Sequence, residues 1–312
     1  MVFKKMLRAL GVGGPSVDTV LSSGSAMPGG TVTGEVRMQG GEHDADIDYV
    51  ALSLVTRVER SDDTQGHVEF DRHVVAGRFP LRAGQTHVVP FRIQIPWETP
   101  VTAIGGHRLH GMTLGLRTEL AVAKAVDKGD MDPLHVEPLP SQAAVLAAFE
   151  RMGFRFRSAD LEMGRIHGVN QQLPFFQEIE YHPPAQLAGG ISQVELTFIT
   201  DAHGMTVVLE ADKRGGLFTQ GGDVFGRFQV SHAEAETTDW TSRIGEWLTQ
   251  AAGRRASFGQ GAHGAHGGDG AHGGGHGLHG GGLVAGAAAG IVGGMILGEV
   301  LDEIGDAIFG DD

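Results

Sequence analysis

Residues 31–38, TVTGEVRM, set Val32, Gly34, Val36 and Met38 on one side of an extended chain and Thr33, Glu35 and Arg37 on the other. A period of two is the mark of a half-buried strand, because successive side chains point to opposite faces of a sheet. Pro28-Gly29-Gly30 supplies the preceding turn. The same alternation recurs from Tyr49 to Val58, with Val50, Leu52, Leu54 and Val58 in phase, and from Val89 to Trp97, with Val89, Phe91, Ile93, Ile95 and Trp97 opposite Pro90, Arg92, Gln94 and Pro96. Proline cannot donate to a ladder, so the last of these is expected at a sheet edge. Met112, Leu114, Leu116, Leu120 and Val122 repeat the pattern.

Residues 127–142, DKGDMDPLHVEPLPSQ, combine three aspartates with three prolines and read as an extended connector. Ser141 is expected to cap a short helix carrying Val145, Leu146, Ala148, Phe149 and Met152. Alternation then resumes at Phe154–Ser158, Phe175–Tyr181, Gln193–Thr200, Met205–Ala211 and Val224–Val230. Many short strands without long helices between them predict a mainly β chain of two antiparallel β-sandwich domains in tandem, with short helices and a helical C-terminal tail. The expected boundaries are a first sandwich over 1–128, a connector over 129–142 and a second sandwich over 143–238.

Two stretches have the helical period instead. Val2, Phe3, Met6, Leu7 and Leu10 predict a short amphipathic helix with Lys4, Lys5 and Arg8 around it, expected to dock on its own domain. Trp240, Ile244, Trp247, Leu248 and Ala251 form one stripe of a helix expected over 239–254 and ending at Gly253. A Gly/His-rich flexible linker follows over 255–282, then a glycine-ridged helix over 283–312.

The formal charge of −14 is unevenly spread: residues 1–128 carry 14 acidic and 14 basic groups, residues 129–258 carry 17 and 10, and the remainder carries 7 and none. No basic stripe with interleaved aromatics occurs, so nucleic acid is not an expected partner. There is no cysteine, which removes disulfides, zinc–thiolate sites and thiol nucleophiles together. The start, MVFKKMLRAL, lacks a following apolar run of signal-peptide length, and a cytoplasmic location is the expectation.

No phosphate-binding, dinucleotide-binding, nucleophile-elbow or zinc-protease motif is present, so no catalytic residue and no cofactor is expected. Asp127, Asp130 and Asp132 are spaced somewhat like a calcium loop but lack its Gly and distant Glu, and read first as a solvated linker. Asp44, Asp46 and Asp48 alternate as residues that keep a strand edge soluble do. His263, His266, His272, His276 and His279 are candidate metal ligands in a tract that cannot pack a core, and read first as adventitious. Gly282, Gly286, Gly290, Gly294 and Gly298 fall every four residues, a bare ridge suited to helix association. The apolar run Leu283–Leu297 would make roughly 22 Å of helix, short of the roughly 30 Å hydrocarbon core of a bilayer.

Several segments, in order, resemble one family: FKKMLRALGVGGPSVDTVL, PGGTVTGEVRMQGG, IDYVALSLVTRVE, VPFRIQIPWETPVT and LRTELAVAKAVDKGDMDPLHVEP, then GFRFRS and FFQEIEY. They are similar to the SpoOM, or sporulation-control, family of arrestin-like proteins. The resemblance implies two arrestin-like sandwiches acting in the cytosol as a regulatory adaptor in bacterial development, without catalytic residues. One departure is Ala121, where the family pattern commonly has an acidic residue. The expected function is therefore a non-enzymatic adaptor acting through protein–protein interaction, with self-association through the C-terminal helix as a further contact. The alternative is a membrane-surface or envelope-associated structural protein, making peripheral membrane contact through its N-terminal basic helix and its glycine-ridged helix. Metal-dependent switching through the histidines is a third reading.

Overall fold

A computed structural model describes residues 13–59, 64–188, 191–211 and 224–260. The chain divides into two compact units, Met1–Ala252 and Gly253–Asp312. The expected N-terminal helix, the histidine tract and the glycine ridge lie outside the described residues.

The strands are β1 (Ser16–Leu21), β2 (Ser25–Ala26), β3 (Thr31–Gln39), β4 (Ala45–Glu59), β5 (Gln65–Ala76), β6 (Phe79–Leu81), β7 (Thr86–Gln94), β8 (Ala103–Ile104), β9 (His107–Arg108), β10 (Leu114–Val122), β11 (Lys128–Pro133) and β12 (His135–Val136). Helix α1 (Pro140–Arg151) leads to β13 (Arg155–Met163) and β14 (Phe175–His182), and α2 (Ala185–Ala188) to β15 (Val194–Thr200), β16 (Gly204–Ala211) and β17 (Val224–Ser231). Helices α3 (His232–Thr237) and α4 (Trp240–Gln260) follow.

In the first half two sheets face each other. One has the order β1-β3-β7, and the other begins β11-β10-β4 with β5 and β6 also paired to β4. Val32, Val36, Met38, Phe91 and Ile93 from the first sheet meet Ile47, Val50, Leu52, Leu54, Leu116 and Leu120 from the second in one core. The phase read for Thr31–Met38 holds: Val32, Gly34, Val36 and Met38 are buried between exposed or half-buried neighbours. Strand β7 lies at the edge of its sheet, as its proline requires, with Pro90 opposite Glu35 of β3.

Strand β4 departs from simple alternation. Residues 50–56 are all buried, on both faces. The inner face contributes Val50, Leu52 and Leu54 to the core. The outer face carries the small Ala51 and Ser53, flanked in register by Glu119 and Arg117 of β10 and by Val74 and Arg72 of β5. Long polar side chains cover small central ones by laying their aliphatic stems over them.

The stretch read as a connector is extended, but it is not free: β11 pairs with β10 over Lys128–Pro133, and β12 runs parallel to β2. Helix α1 begins at Pro140, with Leu139 as N-cap and no side-chain cap bond from it. Ser141 is thus not the cap. Gln142 accepts the Leu139 N–H at 2.9 Å, and Ser141 is buried and turned to His232.

A second sheet-on-sheet sandwich is not seen among the described residues of the second half. Among the described residues its strands form a single antiparallel run, β13-β14-β15-β16-β17, joined to β4 through the pair Glu162–Glu59. Helices cover one face: Phe149 of α1, Ala235 of α3, and Trp240, Ile244, Trp247 and Leu248 of α4 pack on Ile179, Leu196, Val207 and Leu209. Alternation shows that one face is buried and is silent on whether a sheet or a helix buries it. Helix α4 also runs past Gly253, to Gln260.

Candidate functional site

The two halves are locked by the loop after β7. Glu98 accepts the N–H groups of Gln172 and Leu173 at 2.7 to 2.9 Å. Burial pushes its carboxyl above the usual range, partly offset by those two bonds. Gln177 accepts the Val101 N–H at 3.0 Å and donates to the Val101 carbonyl at 2.7 Å. Trp97 stacks on His232, and its carbonyl accepts the Thr200 hydroxyl. His232 Nε2 lies 2.8 Å from the Asp201 carbonyl, which can only accept. Nε2 therefore holds the proton of the neutral ring, and Nδ1 accepts from the Ser141 hydroxyl at 2.8 Å.

A charged lattice lies on the outer face of β5, β4 and β10. Arg72 reaches Glu119 at 2.7 Å and lies over the Tyr49 ring at 5.6 Å, Tyr49 donates to the same carboxylate at 2.5 Å, and Arg117 pairs with Glu69. Burial pulls the Glu119 carboxyl upward, but the bonds from Arg72 and Tyr49 outweigh it and hold it below the usual range. Ala121, the departure from the family pattern, is buried opposite Tyr49.

The three linker aspartates do not converge on one point. Asp127 accepts the Val122 N–H at 3.0 Å, while Asp130 accepts the Thr19 N–H at 2.7 Å and so ties β1 to β11. Burial, with Asp130 and Asp18 close by, pushes the Asp132 carboxyl up to about 7. Asp44 accepts the Ala83 N–H at 2.8 Å, and Asp48 pairs with Arg78 at 3.0 Å.

The face of the second sheet away from the helices carries carboxylates that register brings together: Glu180 opposite Glu195, and Glu195 opposite Glu210. Gln193 donates to Glu180 at 2.9 Å and to Glu195 at 3.0 Å. Asp160, Glu162 and Glu178 place ligand atoms within 4.8 Å of one another, an oxygen set of the kind hard cations take. Each of these three residues also takes part in a further interaction.

The free end of that sheet forms a groove. Strand β17 pairs with β16 along its whole length, and among the described residues nothing pairs with its other edge. Beside that edge runs α4, leaving a groove of about 490 Å3 lined by Phe225, Phe228, Arg243, Glu246 and Trp247 among others. Gly226 makes the close approach possible, since a Cβ there would stand 2.7 Å from the Trp247 ring. The indole N–H of Trp247, a residue only 5% exposed, meets no acceptor. Sequence reading placed Trp247 on the buried stripe of its helix but passed over Gly226, a glycine inside a strand, which is the local signal of such an approach.

Among the described residues, no helix is long and apolar enough to cross a membrane. Residues 3–215 match the family model described as SpoOM protein. The chain is 32% identical over 248 residues to the sporulation-control protein spo0M of Bacillus subtilis (strain 168), covering 76% of this chain and 93% of that one. It also superposes on the crystal structure of Spo0M from Bacillus subtilis with a TM-score of 0.69 at 31% identity, covering 77% of this chain and 99% of that one.

Proposed function

This chain belongs to the SpoOM protein family, and from that premise we propose that it is a non-enzymatic regulatory adaptor that works by protein–protein interaction in bacterial developmental control. The observation that carries this reading is the edge of β17 near α4, with which nothing pairs among the described residues. An unpaired strand edge presents a row of N–H and C=O groups, and proteins use such edges to take up a partner's extended segment. The sandwich of the first half supports an arrestin-type frame, in which sheet ends and edges face partners while the core stays fixed. The bonds of Glu98 and Gln177 hold the second half against that frame, so a partner on β17 meets a preorganised surface.

The test is native purification of the full-length chain with a photo-crosslinking residue at Phe225 or Gln229, two exposed positions of β17. A stoichiometric protein partner cross-linked at these positions is expected. A chain that purifies with lipid alone, or with nothing, overturns the adaptor reading.

A further inference from the structure

We propose that the groove between β17 and α4 binds an extended peptide segment bearing a carboxylate side chain, which pairs with Arg243 while a peptide carbonyl accepts the Trp247 indole N–H. The inference rests on the adaptor reading and names the chemistry of the partner.

Three independent features converge. The first is the strand edge. In an antiparallel strand alternate residues turn their main-chain groups away from the neighbour, so β17 offers a ladder to a further strand over Val224–Ser231. The second is Trp247: a buried N–H without an acceptor costs free energy, and a carbonyl arriving along the groove would remove that cost. The third is Arg243. Its guanidinium carbon lies 5.9 Å from the centre of the Phe228 ring and 5.7 Å from that of Trp240, two rings set 84° to one another, which hold it in a corner between them. Among the described residues its guanidinium has no carboxylate partner, whereas the neighbouring Arg227 already donates to the carbonyls of Gly168 and His167. A fixed planar donor fork with open positions is suited to a carboxylate. Phe225, 47% exposed and on the opposite face of β17 from Phe228, supplies apolar surface for the residues on either side of that carboxylate.

Charge selects the occupant. Glu246 also lines the groove, so a basic segment would find one carboxylate, but it would place a second cation against Arg243. An acidic side chain set opposite Arg243 and away from Glu246 pairs without that repulsion.

The probe is a fluorescein-labelled nonapeptide of alternating Thr and Val with a central Asp, titrated with the full-length protein by fluorescence anisotropy. Matched probes carry Asn or Lys at the centre. The Asp probe is expected to bind about tenfold more tightly than the Asn probe, and the Lys probe more weakly than either. Arg243→Gln should abolish the Asp-over-Asn preference. Trp247→Phe keeps an aromatic ring on Gly226 but removes the donor, and should weaken the Asp and Asn probes by a similar factor of about five. Unchanged melting curves for both variants would show that the fold is retained. Equal affinity for the Asp and Asn probes, or variants that bind like the wild type, overturns the proposal. So does a wild-type dimer that both variants convert to monomer, since the occupant would then be a second copy. If the cross-linked partner of the previous section persists in both variants while the probes fail, the groove proposal falls and the adaptor reading stands. If the probes bind as expected but no partner is found in cells, the adaptor reading falls alone.

Discussion

Trp97, on the loop after β7 in the first half, stacks on His232 at the start of α3 in the second half, with ring centroids 5.7 Å apart and planes 28° from parallel. The tryptophan is seated over Gly29, where a Cβ would stand 2.3 Å from its ring, in a turn whose φ of +68° also favours glycine. One aromatic side chain thus joins a turn of the first sandwich to the helix start of the second half.

Trp97→Ala removes the stack and uncovers His232. The expected loss of stability is about 1–3 kcal/mol, since the ring is half-buried rather than fully enclosed. Urea unfolding checks it. An unchanged midpoint would mean that the loop is held by its hydrogen bonds to Gln172, Leu173, Gln177 and Thr200 without the stack.

Gln177→Ala acts at the same junction through hydrogen bonding. The amide both accepts from and donates to Val101, so truncation strands a buried N–H and a buried carbonyl together. A loss of about 2–3 kcal/mol is expected, more than a single neutral hydrogen bond is usually worth. Gln177→Glu preserves the acceptor only, and should fall between wild type and Ala in the same unfolding experiment.

Asp132 gives a pH dependence with a definite sign. Its carboxyl titrates at about 7 in the folded chain, against about 3.9 unfolded. The folded state therefore holds the proton more tightly. The stability linked to that proton is complete below about pH 4 and is lost as the pH rises through about 7. Because the group is only about half buried, solvent screening reduces the effect to the order of 1 kcal/mol. Asp132→Asn should lose less stability than the wild type between pH 5 and pH 8. Parallel pH profiles for the two proteins would show that Asp132 is ionised throughout.

Much of the fold was legible along the chain. The phases of β3, β7 and β10 and the existence of β13–β17 follow from alternation, and the edge position of β7 follows from Pro90. Strand β5 was not read, because its residues are half-buried or exposed along its length and offer no apolar stripe. The aspartates of 127–132 were read as a solvated connector because charge and proline imitate a linker. In the fold Asp130 and Asp132 sit on a strand paired with β10 and Asp127 just before it; Asp127 and Asp130 accept the main-chain N–H groups of Val122 and Thr19.

The candidate site was the least legible part. Trp247 reads as one more residue of an apolar stripe, Gly226 as a neutral position in a short strand, and Arg243 as an exposed cation. Their meeting depends on where α4 lies on the sheet, a choice made by the packing of Trp240, Ile244 and Leu248 against Leu196, Val207 and Leu209. Glu180, Glu195 and Glu210 likewise look like three separate polar-face residues until register sets them side by side.

The sequence by itself determined most of the strands and, where alternation is clean as in β3 and β7, which side is buried, because both follow from local alternation, turns and proline chemistry. Only the tertiary structure decided what lies over each buried face, a sheet in the first half and helices in the second, because burial of apolar area favours any well-packed cover and does not name it. The same holds for the groove beside β17: an edge, a glycine, an indole and a guanidinium become one site only when long-range packing brings them within reach of a single ligand.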